Sequence, residues 1–89
     1  MLVLWTPFAW DDYVSWQSED KKTLKRINAL IKDIQRSPFD GLGKVEPLKN
    51  ELSGFWSRRI DEQNRLVYRI SGDGKHQTVE IISCKTHYA

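Results

Sequence analysis

Cysteine is nearly absent from this chain. Cys84 is the only one in 89 residues, which excludes an internal disulfide framework and a cysteine-based zinc cluster. Long apolar runs are missing as well. The longest spans a few residues, far short of the ~20 that a membrane-spanning helix requires. Met1-Leu2-Val3-Leu4-Trp5 has neither a basic stretch nor an extended apolar one, so it does not read as a secretory signal; a cytoplasmic location is expected. No glycine-rich phosphate loop, serine nucleophile elbow or metalloprotease helix motif occurs. His76 and His87 stand without nearby cysteine, a poor metal-ligand set, and neither a metal nor a cofactor is expected. The formal net charge of +2 is too small to argue by itself for a nucleic-acid partner. The length suits one domain, residues 1–89, and leaves no room for a dinucleotide-binding fold.

What the chain does have is aromatic bulk: four Trp, three Tyr and three Phe. Each can bury roughly 150–250 Å², enough for one small core. Charge is unevenly placed. Residues 1–43 carry six positive and six negative side chains, and residues 44–89 carry eight and six, so the whole excess lies in the second half. The ordinary reading of Arg58, Arg59, Arg65 and Arg69 is a solvated strand surface.

Residues 2–5 read as a short strand bounded by Thr6-Pro7. Thr6 can cap a helix with Pro7 in its first position, and Phe8, Trp10, Tyr13, Val14 and Trp16 suggest an amphipathic helix over about 8–18 with Asp11 and Asp12 outward. Asp20 looks like the cap of a second helix. Leu24, Ile27, Leu30, Ile31 and Ile34 form its apolar stripe, while Lys21, Lys22, Lys25, Arg26, Lys32 and Asp33 occupy other faces. That helix should end near Arg36, because Ser37 precedes Pro38. Residues 37–46 read as a loop. Strand patterns follow at Pro47-Leu48-Lys49, over 55–60, over 65–70 and from Thr78 to Cys84, with a turn at Ser71-Gly72-Asp73-Gly74. The expected architecture is α+β: two N-terminal helices packed on one face of a mostly antiparallel sheet, in the order β-α-α-β-β-β-β.

The alternation carries a chemical hint. If Leu66, Tyr68 and Ile70 face the helices, Arg65 projects onto the uncovered face. Arg59 shares a face with Phe55 and Ser57, while Trp56 and Ile60 share the other. Two arginines on one open face can clamp a phosphate. Glu46 and His87 are the candidates for proton transfer; the plainer reading of each is a solvated loop carboxylate and a frayed tail. His76 lies in the hairpin loop and has no expected chemistry.

Several motifs together resemble the YoeB toxins of bacterial toxin–antitoxin modules, within the RelE/ParE superfamily. They are Trp10-Asp11-Asp12-Tyr13, Ile27-Asn28, Leu30-Ile31-Lys32-Asp33, Ser37-Pro38-Phe39, Glu46-Pro47-Leu48-Lys49, Leu52-Ser53-Gly54, Trp56-Ser57-Arg58-Arg59-Ile60, Arg65-Leu66-Val67-Tyr68 and His87-Tyr88. The resemblance implies a microbial RNase-like fold and metal-independent cleavage of messenger RNA in the ribosomal A site. By it Glu46 matches the general base, His87 the general acid and Arg65 the phosphate-stabilising arginine. Tyr88 matches the aromatic that shapes the nucleotide pocket, and Lys49 and Arg59 match supporting cations. It also implies a cognate, YefM-like antitoxin and a homodimer or toxin–antitoxin hetero-oligomer. Family members usually end at the His-Tyr pair, whereas Ala89 follows here. The competing functions are a non-catalytic toxin, resembling ParE proteins that act on DNA gyrase, and an inactive remnant that titrates an antitoxin.

Overall fold

The computed structural model describes residues 1–86. In chain order the elements are β1 (Leu2–Trp5), α1 (Pro7–Glu19), α2 (Lys21–Arg36), β2 (Glu46–Pro47), β3 (Trp56–Arg59), β4 (Arg65–Ser71) and β5 (Thr78–Ser83), with 3₁₀ turns over Asn50–Leu52 and Gly74–His76. The strands form one sheet in the order β1-β5-β4-β3-β2. β1 runs parallel to β5, and every other pairing is antiparallel. The expected α+β order and mostly antiparallel sheet are therefore present.

Local chemistry sets the helix boundaries. Thr6 Oγ1 accepts the Ala9 N–H at 3.0 Å with Pro7 in the first turn, and the same hydroxyl donates to the Ile82 carbonyl at 3.2 Å, tying α1 to β5. Asp20 ends α1 and begins α2: its own N–H donates to Trp16 O, and its carboxylate accepts from the N–H groups of Lys22 and Thr23. Those bonds to two otherwise orphaned donors hold the Asp20 carboxyl below its ordinary value, with the Thr23 hydroxyl as the largest contributor. Asp20→Ala should lower stability by removing the cap, read as a lower urea midpoint at unchanged slope.

The core joins Ala9 and Trp16 of α1 and Ile27, Leu30 and Ile34 of α2 to Leu66, Tyr68, Val79 and Ile81 of the sheet. Leu66 and Tyr68 face the helices while Arg65 and Arg69 stay exposed, as the alternation requires. Three expectations about orientation are corrected. Asp12 is buried, because its Oδ2 accepts the Cys84 N–H at 3.0 Å. Asp33 is buried, because it receives Arg58 and the Leu42 N–H. Phe8, Trp10 and Val14 are about half exposed rather than core. Trp10 stacks laterally on Tyr13 and edge-on against Trp5, so the aromatics of α1 form a surface cluster beside β1.

Candidate active site

Arg58 is the largest fully buried side chain of the protein, and it organises the path into β2. Its register partner is Leu66, so it points at the helices and not at solvent, which corrects the surface reading of this residue. Its Nε donates to Tyr68 Oη at 3.1 Å, and NH1 donates to Asp33 Oδ2 at 2.6 Å and to Leu42 O at 3.2 Å. NH2 donates to Ser37 O and Asp40 O at 2.6 and 2.8 Å. One guanidinium thus satisfies three carbonyls of the 37–43 loop and a buried carboxylate. Asp33 in turn accepts the Leu42 N–H at 2.9 Å and pairs with Arg36 at 2.5 Å.

The loop can approach this closely only because of glycine. At Gly41, with φ +114°, an added Cβ would lie 2.2 Å from Asp33 Oδ2. The Gly43 carbonyl accepts the Arg59 N–H at 2.6 Å, so the chain enters β2 already paired to β3. Glu46, expected in a loop, instead opens β2, opposite Ser57. Pro47 has no N–H to donate and is tolerated because β2 is an edge strand.

On the uncovered face, register places the candidate residues in two adjacent rows. Glu46, Ser57 and Val67 form one row across β2, β3 and β4. Arg59 and Arg65 lie directly opposite each other in the next. Strand spacing and rise put the Glu46 and Arg65 backbones about 12 Å apart, a span that long side chains can close around one phosphodiester. Ser57 Oγ, in the middle, is buried and has no hydrogen-bond partner among the described residues. Lys49 is exposed just beyond β2. The structure therefore brings Glu46, Arg59 and Arg65 to one face. His87 and Tyr88 lie outside the described residues.

Electrostatics singles out the arginine pair. Of the six arginines, Arg26, Arg36, Arg58 and Arg69 each bond a carbonyl, a carboxylate or both through the guanidinium. The guanidiniums of Arg59 and Arg65 have no hydrogen bond or ion pair among the described residues. Like charges directly opposite on a sheet repel, and no carboxylate among the described residues offsets this pair. Among the described residues no group of three or more His, Cys, Asp or Glu is placed to share a metal ion. Cys84 is fully buried, and burial first, then the nearby Asp12, pushes its thiol up to about 12. It is a packed, protonated side chain at neutral pH, not a nucleophile.

Sequence reasoning missed the interior role of Arg58. The signal was present: alternation that turns Trp56 and Ile60 inward turns Arg58 inward too. It also missed Asn64, whose side-chain carbonyl accepts from Thr86, 22 residues on along the chain.

Comparison with known proteins agrees with this architecture. The YoeB-like toxin family of bacterial type II toxin–antitoxin systems matches residues 5–88. Toxin YoeB of Escherichia coli strain K12 is 52% identical over 88 residues, covering 99% of this chain and all of that protein. Among solved structures, a YoeB/ParE toxin from Agrobacterium tumefaciens superposes with a TM-score of 0.93 at 50% identity, covering 99% of this chain and 100% of that one. The toxin in a heterotetrameric YoeB–YefM toxin–antitoxin complex from Staphylococcus aureus gives 0.88 at 42% identity, over 99% of both chains. A YoeB dimer from the same organism gives 0.86 at 42% identity, over 99% and 98%. The chain is thus a toxin of the bacterial type II toxin–antitoxin class. Within that class it belongs to the family of YoeB-like toxins.

Proposed function

We propose that this toxin is a ribosome-dependent endoribonuclease that cleaves messenger RNA in the A site without a metal ion or cofactor of its own. The observation that carries the proposal is the Arg59–Arg65 couple, without a partner among the described residues, one row from Glu46 on the open sheet face. A ribose 2′-hydroxyl is a poor nucleophile until its proton is removed, and Glu46 is the carboxylate placed to take it. The 2′-oxygen then bonds to phosphorus and the bond to the 5′-oxygen breaks, leaving a 2′,3′-cyclic phosphate and a 5′-hydroxyl. Charge gathers on the non-bridging oxygens meanwhile, where Arg65, seconded by Arg59 and Lys49, stabilises it. His87 donates the proton that the leaving 5′-oxygen needs, and Tyr88 stacks against the nucleotide.

A chain of 89 residues has little room for a deep substrate cleft, and the ribosome supplies the hold on the substrate instead. The partner that neutralises the toxin is an antitoxin like the YefM of the staphylococcal complex. A segment that folds on contact and lays acidic side chains over Arg59 and Arg65, with apolar ones to cover exposed side chains such as Phe39 and Leu52, would cover the site.

Mapping of mRNA 5′ ends on translating ribosomes tests the reading. Cuts within the A-site codon should appear with the wild-type chain and vanish with folded Glu46→Ala and His87→Gln variants. Full cleavage by folded His87→Gln would remove that residue from the mechanism. DNA breaks without mRNA cuts would instead indicate a ParE-like action on gyrase.

A further inference from the structure

Residues 84–86 run through a clamp built by α1 and the β3–β4 turn. Cys84 donates its N–H to Asp12, and its carbonyl accepts from Trp16 Nε1 at 2.9 Å. Lys85 reaches Ser15 Oγ at 3.1 Å, pairs with Glu19 and lies 4.9 Å from the centre of the Trp16 ring. Thr86 donates its N–H to Asn64 Oδ1 at 2.8 Å, and its hydroxyl donates to Gln63 O.

Asn64 is held so that it can do only this. Its side-chain amide donates to both oxygens of Asp61 at 3.1 Å, and its backbone N–H donates to Asp61 Oδ1 at 2.7 Å. Its carbonyl accepts the Ile60 N–H at 2.9 Å. A carboxylate can only accept, so the NH₂ end of the amide must face Asp61. The oxygen end is thereby aimed at Thr86. Asn64 is 8% exposed, and water competes little for that bond.

The position of this bond in the chain matters more than its strength. Asn64 immediately precedes Arg65, and Thr86 immediately precedes His87. The 2.8 Å bond to Asn64, beside the Thr86 hydroxyl bond to Gln63 O, therefore ties the strand end that carries the phosphate-binding arginine to the segment that carries the proton donor. We infer that Asn64 is a positioning residue, with Asp61 behind it, that sets Thr86, the residue before the proposed proton donor, in register with Arg65. The inference rests on the reading of His87 as the general acid. Misplacing a catalytic group by about 1 Å lowers a rate about 100-fold, so the clamp belongs to the chemistry as much as to the fold.

The test is single-turnover cleavage of A-site mRNA by the full chain over a range of ribosome concentrations, with hydrogen exchange at the Thr86 amide followed in parallel. Two variants remove the bond from opposite sides. Asn64→Ala deletes the acceptor. An amide-to-ester replacement at Thr86, introduced by ligation at Cys84, deletes the donor and leaves the turn untouched. Both should lower the maximal cleavage rate about 10- to 100-fold with the half-saturating ribosome concentration unchanged, and Asn64→Ala should lose protection at Thr86. Wild-type rates in both variants would overturn the inference. So would a loss that merely follows the unfolded fraction, or unchanged Thr86 protection in Asn64→Ala. Failure of the underlying reading looks different: His87→Gln itself would then cleave at full rate.

Discussion

Replacing Arg58 by Ala should destabilise the protein by about 3–5 kcal/mol, the cost of leaving a buried charge without its partner. For a domain whose whole stability is of order 5–15 kcal/mol, that approaches unfolding. Of its charged partners Asp33, itself 5% exposed, would keep Arg36, whose side chain is largely in solvent, beside the neutral Leu42 N–H. The carbonyls of Ser37, Asp40 and Leu42 would lose their shared donor, and each unsatisfied buried group adds its own penalty. Arg58→Lys should recover only part of the loss, since an ammonium has three donors and no planar fork to span loop, carboxylate and phenol together. Urea unfolding followed by tryptophan fluorescence measures both; a midpoint within experimental error of wild type for Arg58→Ala would refute this account.

The same network fixes the acid limit of the fold. Arg36 first, then the Leu42 N–H and Arg58, hold the Asp33 carboxyl far below its ordinary range. A carboxyl lowered in the folded state contributes stability above its unfolded pKa of about 3.9, and that contribution fades as pH falls toward the folded value. The urea midpoint should therefore drop below about pH 4. In Asp33→Asn the curve should start lower and be flatter across that window.

The second large effect concerns chemistry with the fold left intact. Arg65→Ala should reduce A-site cleavage about 10²–10³-fold, the typical loss when one preorganised donor to a developing anion is removed. Its stability should not fall. Arg65 is exposed, makes no ion pair among the described residues, and lies directly opposite Arg59; removing one of two like charges relieves roughly 0.2–1 kcal/mol of repulsion. An inactive variant that melts at or above the wild-type temperature marks a residue placed for its ligand. A marked fall in melting temperature would show instead that Arg65 serves the fold.

These two neighbouring arginine strands also show how much could be read in advance. The β4 pattern from Arg65 to Ile70 alternates without a break, so its inner and outer faces follow from covalent geometry alone. The same holds for Asp20, whose capping oxygen acts on N–H groups two and three residues away, and for Ser37-Pro38, whose steric clash is between neighbours. The helices and β4, and with them the open face bearing Arg59 and Arg65, were legible because each rests on interactions within a few residues, whereas the strand expected at Pro47-Leu48-Lys49 forms instead at Glu46–Pro47 by pairing with β3.

Asp12, Asp33 and Arg58 were not read correctly, because a charge enters a core only if its partners come with it, and those partners are distant along the chain. Asp12 meets Cys84, 72 residues away, and Asp33 meets Arg58, 25 residues away. Likewise no local pattern announces that Asn64 will hold Thr86. The sequence by itself determined the elements, their faces and, through its scarcity of cysteine, the absence of disulfide staples within the chain. Only the tertiary structure decided which charges are interior and which find no partner among the described residues, since desolvation and pairing are settled by contacts that form when remote segments meet.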